Sequence, residues 1–290
     1  MKRLCALFVA LMLLAAAGAA AEDMWVVNCE NWVSLREGPS ADTARLAEVP
    51  LGALVNDCAE AENGFVACSW QGQQGYIRAD YLAKPIAICE AVEPAQARVS
   101  EADELTDGVL IWFDDAENAE GESTAGEDVQ LMGVDANGSV TWALESKTPY
   151  YTELQLISAI PVETQQGRIV LFYNAEAGLA AIDPASGEIL WTLSRFEVPV
   201  GGSVSWDSDG SGLLALGGNY VTEPVLIDVN AGTVLWKAQS PNGEISWLYE
   251  IHMTGEGIEC LYDFYNGGED SGVVVYDTGS GKVLSSKKDE

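Results

Sequence analysis

Asp183-Pro-Ala-Ser-Gly187-Glu-Ile-Leu-Trp191 is followed in the same chain by Asp228-Val-Asn-Ala-Gly232-Thr-Val-Leu-Trp236. A weaker copy, Asp277-Thr-Gly-Ser-Gly281-Lys-Val-Leu-Ser285, lies near the C-terminus. A copy one residue shorter, Asp135-Ala-Asn-Gly138-Ser-Val-Thr-Trp142, precedes them all. Successive aspartates stand 48, 45 and 49 residues apart. A period of that length, filled with short apolar runs and turn residues, predicts repeated four-stranded sheets and not one ordinary domain.

One copy shows the grammar. Gly212-Leu-Leu-Ala-Leu-Gly217 and Pro224-Val-Leu-Ile-Asp228 read as strands, Asn230-Ala-Gly232 as a tight turn that needs positive φ, and Thr233-Val-Leu-Trp236 as the returning strand. Arg168–Phe172, Leu179–Ile182 and Glu188–Trp191 repeat the order. The aspartate before each turn is expected to accept backbone hydrogen bonds across it, and the tryptophan to close the sheet with apolar surface.

Ala181-Ile-Asp-Pro-Ala-Ser-Gly-Glu-Ile-Leu-Trp191 resembles the blade motif of quinoprotein-like β-propellers. Val204-Ser-Trp-Asp-Ser-Asp-Gly-Ser-Gly-Leu-Leu-Ala215 resembles the opening of WD-type blades. The likeness covers about residues 96–290 and implies a four-bladed propeller-like domain, placed at 106–290. Four blades close a small ring, or two chains complete a larger one. Quinoprotein enzymes carry about twice as many blades, so neither a quinone nor any other cofactor is expected.

Residues 24–84 hold short strand-like runs at Met24–Val27, Trp32–Leu35, Ala53–Val55, Phe65–Cys68 and Gly75–Ile77, which predict a small barrel. Trp32-Val-Ser-Leu-Arg36 with Gly38-Pro-Ser40, Val49-Pro-Leu-Gly52, Asn63-Gly-Phe65, Trp70-Gln-Gly72 and Gly75-Tyr-Ile-Arg-Ala-Asp-Tyr-Leu82 resemble the bacterial SH3-like (SH3b) domain. The fold class is therefore all-β: an SH3-like barrel at 22–84, a stretch at 85–105 holding a linker and the start of the first blade, and the repeats. The resemblance implies a partner that is a cell-wall peptide or an envelope protein. Trp32, Arg36, Tyr76 and Tyr81 are the contact candidates, because aromatic residues and arginine dominate binding energy at interfaces.

Lys2 and Arg3 precede the apolar run Leu4–Leu14, and Ala19-Ala-Ala21 precedes Glu22. This pattern predicts a signal peptide at 1–21 and a product that is secreted, free or held at the cell wall, without membrane insertion. Its removal takes the formal charge from −31 to −33, since Lys2 and Arg3 leave and no acid does. Such a charge disfavours nucleic acid and anionic lipid as partners.

Export favours disulfides among Cys29, Cys58, Cys68 and Cys89, with Cys58–Cys68 across one hairpin and Cys29–Cys89 as the expected pairing. Each bridge would contribute roughly 2–4 kcal/mol to so small a core. Cys260 reads as a buried small hydrophobe.

Catalysis is not expected. The chain has one histidine, His252, too few for a multi-histidine metal site, and no third group orients a Cys260–His252 dyad. His252 on its strand is expected to pack. The acidic stretches Asp114–Asp128 and Asp263–Gly272 read as neighbouring loops that would attract calcium or a basic partner, with a solvated loop as the plainer alternative. Asp207-Ser-Asp-Gly210 is a fragment of a calcium loop or a hairpin turn. The sequence thus predicts a non-catalytic binding protein. The alternative is an envelope assembly factor whose propeller docks a partner while the SH3-like unit acts as a spacer.

Overall fold

A computed structural model describes residues 22–93, 102–105, 108–113, 129–146, 157–198, 204–218, 221–238, 246–265 and 269–288. The predicted signal segment and the acidic stretch 114–128 lie outside these. The chain divides into two units, 1–85 and 86–290.

The first unit is a single antiparallel ladder. Its strands are β1 (Glu22–Val26), β2 (Trp32–Arg36), β3 (Arg45–Pro50), β4 (Leu54–Glu60), β5 (Phe65–Trp70), β6 (Gln73–Arg78) and β7 (Leu82–Ala83). They pair in the order β3-β2-β6-β5-β4-β1-β7. Alternation drives burial: Val33 and Leu35 of β2 point inward with Val26, Val49, Val55, Val66 and Ile77 to form one core. Five strands were legible beforehand. β3 was not, because Arg45-Leu-Ala-Glu-Val-Pro50 mixes charge and proline and buries only Val49. The ladder runs from β3 at one edge to β7 at the other.

The second unit is built from four sheets in chain order. The first combines β9 (Ala102–Leu105), β10 (Val109–Phe113), β11 (Val129–Val134) and β12 (Val140–Ser146) with a fifth strand, β8 (Glu90–Val92). β8 adds to the outer edge of β12, Leu144 opposite Ala91, so Glu90–Val92 belongs to the first sheet. The second sheet holds β13 (Ile157–Thr164), β14 (Gly167–Asn174), β15 (Gly178–Ile182) and β16 (Ile189–Ser194). The third holds β17 (Val204–Ser208), β18 (Leu213–Gly218), β19 (Val221–Asp228) and β20 (Thr233–Lys237). The fourth holds β21 (Ser246–Thr254), β22 (Gly257–Tyr265), β23 (Glu269–Tyr276) and β24 (Val283–Lys288).

Three buried clusters each join one sheet to the next, as blades of a propeller do. Val109, Leu131 and Leu144 pack on Val170, Phe172 and Ile182. Ile160, Leu171 and Leu179 pack on Leu214, Val225 and Ile227. Ala215 and Leu226 pack on Leu248, Ile258 and Tyr276. Asp263–Tyr265 and Glu269–Gly272, expected as a loop, are paired strand, Asp263 opposite Ser271.

Candidate functional site

In the first unit, β2 carries Trp32 and Arg36 on one side of a cleft of about 520 Å³, and the short turn Ala79–Tyr81 after β6 brings Tyr81 and Arg78 to it. Three of the four residues singled out from the sequence therefore converge. Tyr76 does not. It sits opposite Arg36 in register yet lines a second cleft of about 360 Å³ with Glu37, Asp57 and Gln74.

The main cleft is held by local bonds. Arg36 Nη1 donates to the Thr43 carbonyl at 2.7 Å, tying β2 to the turn before β3. Arg78 makes a two-pronged pair with Asp80, Nε to Oδ1 at 3.0 Å and Nη2 to Oδ2 at 2.5 Å. Its guanidinium lies 5.5 Å from the centre of the Tyr81 ring. Arg45 covers the Trp32 ring at 5.0 Å, while 42% of Trp32 remains exposed. Asn28, in the left-handed region at φ 57, reaches the Asp80 carbonyl at 2.9 Å. The result is a surface of aromatic faces edged by arginine in an otherwise acidic chain. Such a surface suits an extended peptide with a carboxylate or other acidic group. Arg45 and Arg78 were missed at the sequence level. The available signal was that Arg36, Arg45 and Arg78 are three of the four basic residues between positions 22 and 85.

The cysteines differ from expectation. All five described cysteines are free thiols. Cys29 packs against the core of the first unit, whereas Cys89 is buried in the first-to-second blade cluster. They belong to different cores, so Cys29–Cys89 is not a pair. Cys58 and Cys68 act on each other: the neighbouring thiol lowers the Cys58 pKa and raises that of Cys68. The register shift between Asn56 and Ala59, with Asp57 at φ 54, also aims Cys58 Sγ at the Val55 carbonyl at 3.6 Å. Burial pushes the Cys89 and Cys260 thiols up to about 12.

In the second unit, His252 does not pack. It is exposed and 3.2 Å from Glu250. Ile251, not His252, stands opposite the fully buried Cys260, so the two sulfur and imidazole groups lie on opposite faces of the sheet. Asp209 is a turn residue: its Oδ1 accepts from Ser211, Gly212 and Leu213 amides at 2.8, 3.1 and 2.9 Å. Burial opposes its charge, but the bonds from Ser211 and these amides outweigh it and lower the pKa. Asp207 accepts the Met253 amide of the next blade at 2.7 Å. Among the described residues no group of acidic, cysteine or histidine side chains is arranged to hold a metal.

The motif aspartates do as expected. Asp183 accepts from Ala185 and Ser186 amides, and Asp228 from Asn230 and Ala231. The tryptophans do more than close their own sheets. Trp142 donates to the Pro184 carbonyl at 3.0 Å, Trp191 to Val229 at 3.0 Å and Trp236 to Thr278 at 2.8 Å. Each acceptor follows the motif aspartate of the next blade.

No family model and no curated protein matches the sequence. Solved structures similar to the chain include a protein of unknown function from Bacteroides caccae. It is 15% identical, with 93% of this chain and 94% of that one covered, at a TM-score of 0.33. Sqt1 from Saccharomyces cerevisiae is 12% identical over 93% and 78% of the two chains, at 0.45. BamB from Moraxella catarrhalis is 13% identical over 93% and 79%, at 0.36.

Proposed function

We propose that the chain is an exported, non-catalytic binding protein: an SH3-like module that takes a cell-wall peptide or a segment of an envelope protein, followed by a propeller that serves as a protein-interaction platform. The observation that supports this most is the convergence of Trp32, Arg36, Arg78 and Tyr81 on one cleft. Trp32 supplies an exposed apolar face, Tyr81 a half-buried one beside it, and the arginine edge the electrostatic complement for a peptide carboxylate. The exposed Leu190, Leu235 and Leu284, at 47, 50 and 56%, occupy the same position on the outer strands of three blades and support the platform role.

Sedimentation of the chain lacking residues 1–21 with purified peptidoglycan tests the first part. Trp32→Ala should weaken binding at least tenfold, the size expected for a central aromatic anchor worth about 2 kcal/mol. His252→Ala should leave it unchanged. Binding that survives Trp32→Ala intact would move the site away from the cleft.

A further inference from the structure

The blade junctions repeat one contact, and its repetition exposes a gap. In each junction the indole of one blade lies over the glycine of the next blade's turn. A Cβ added to Gly187 would stand 2.6 Å from Trp142, one on Gly232 2.5 Å from Trp191, and one on Gly281 2.7 Å from Trp236. The indole N–H then reaches the carbonyl beside the motif aspartate. The same strand pairing sets each tryptophan. Trp142 stands opposite Gly133, Trp191 opposite Ala181 and Trp236 opposite Leu226, each next to a register shift.

The fourth blade has the same shift, with Ser285 opposite Val275. It therefore ends in a hydroxyl where the others carry an indole. The first blade has the turn, Asp135–Ser139, with Gly138 at φ 80 close to the 73, 65 and 67 of its counterparts. Asp135 organises it by accepting from the Asn137 and Ser139 amides at 2.8 and 2.9 Å. Yet no described residue lies within 4 Å of a Cβ placed on Gly138, and the turn is exposed throughout. The turn is one residue shorter than the other three.

We infer that the Asp135–Ser139 turn is an open tryptophan seat, and that its occupant is a tryptophan on a β-strand edge of another protein. The blade-to-blade interface continues past the first blade as an acceptor with its donor missing. A second copy of this chain fits poorly, because the strand it would offer carries Ser285. The local charge agrees: Asp135 keeps its pKa lowered through the turn amides, so a neutral or basic strand edge is favoured over an acidic one.

The probe is a synthetic peptide of residues 233–238, Thr-Val-Leu-Trp-Lys-Ala, titrated into the isotope-labelled full chain. Amide shifts should move at Ala136–Ser139, and the same peptide with alanine for tryptophan should move none. Gly138→Asn keeps the turn, since asparagine tolerates positive φ, but places a side chain where the indole would lie. It should abolish the shifts and leave thermal unfolding nearly unchanged. The wild-type chain should be a monomer by light scattering. Shifts that persist in Gly138→Asn, or that the alanine peptide reproduces, would overturn the seat. A wild-type dimer that Gly138→Asn dissociates would replace the foreign strand with a second copy.

Discussion

The indole of Trp191 donates to the carbonyl of Val229, 38 residues further along the chain, at 3.0 Å. Trp142 and Trp236 repeat the relation at a separation of 42 residues. The bond crosses from one blade to the next, so a local sequence motif is completed only by its neighbour. Blade stability is thereby shared, as in other repeat arrays.

Removing that bond while keeping an aromatic isolates its size. Trp191→Phe should cost about 1 kcal/mol in denaturant unfolding, the net worth of one hydrogen bond. Trp191→Ala should cost about 3–5 kcal/mol, because it also opens the space over Gly232. Equal losses for the two variants would show that the indole N–H contributes nothing.

The glycines give an independent measure of the same contact. Gly138→Ala and Gly232→Ala both force a side chain into the left-handed region, a cost of about 1–2 kcal/mol. Only Gly232→Ala also drives a methyl into Trp191. Gly232→Ala should therefore be the more destabilising in a thermal melt, and a tie would contradict the packing.

Much of this was readable beforehand, and the limits have physical causes. The Asp-x-x-x-Gly spacing fixed the turns because positive φ and side-chain acceptors act within five residues. Partners across blades were not readable, since Trp191 carries no mark that Val229 is its acceptor. Alternation placed the module strands, but β3 buries a single side chain and left no pattern. Trp32, Arg36 and Tyr81 line one cleft and Tyr76 another, because residue type says nothing about which cleft a strand faces. The cysteine pairing failed because proximity in sequence to the module did not decide which core would take Cys89. His252 was expected to pack, but its neighbour Ile251 occupies the inward position of β21.

The thiols predict a count. Under denaturing conditions and without reductant, the chain without residues 1–21 should show five reactive cysteines. In the native state Cys29, only half-buried, should react first, and Cys58, Cys68, Cys89 and Cys260 slowly. Three or fewer reactive groups in the denatured chain would mean that a bridge forms.

Alkaline stability should follow from the same burial. The folded-state pKa of Cys89 and of Cys260 is raised from an ordinary 9.0 to about 12. A raised value stabilises the protonated fold below pH 9, and that contribution is lost as pH rises from 9 toward 12. Each group should remove about 1.4 kcal/mol of stability per pH unit within that window. Cys89→Ala should flatten the slope of unfolding free energy against pH there, while leaving it unaltered below neutrality. An unchanged slope would show that Cys89 is not shielded from water.

Tyr173 offers the sharpest case of a buried group in an unfavourable state. It is fully buried between the second and third blades, and its hydroxyl has no hydrogen-bond partner among the described residues. Burial holds its pKa above the usual phenol range, so it stays neutral at any ordinary pH. An unpaired buried hydroxyl costs about 1–3 kcal/mol relative to a satisfied one, and phenylalanine fills the same space without it. Tyr173→Phe should therefore raise the midpoint of denaturant unfolding, by about 1 kcal/mol in free energy, whereas most core substitutions lower it. The neighbouring Asn174 gives the contrast. It is equally buried but satisfied, with Nδ2 donating to Ser146 Oγ at 2.9 Å and Oδ1 accepting from the Glu176 and Ala177 amides at 2.9 and 3.2 Å. Asn174→Leu should destabilise, since it strands those amides. If Tyr173→Phe destabilises as well, the hydroxyl has a partner in solution, and a buried water at that junction would be the first thing to look for.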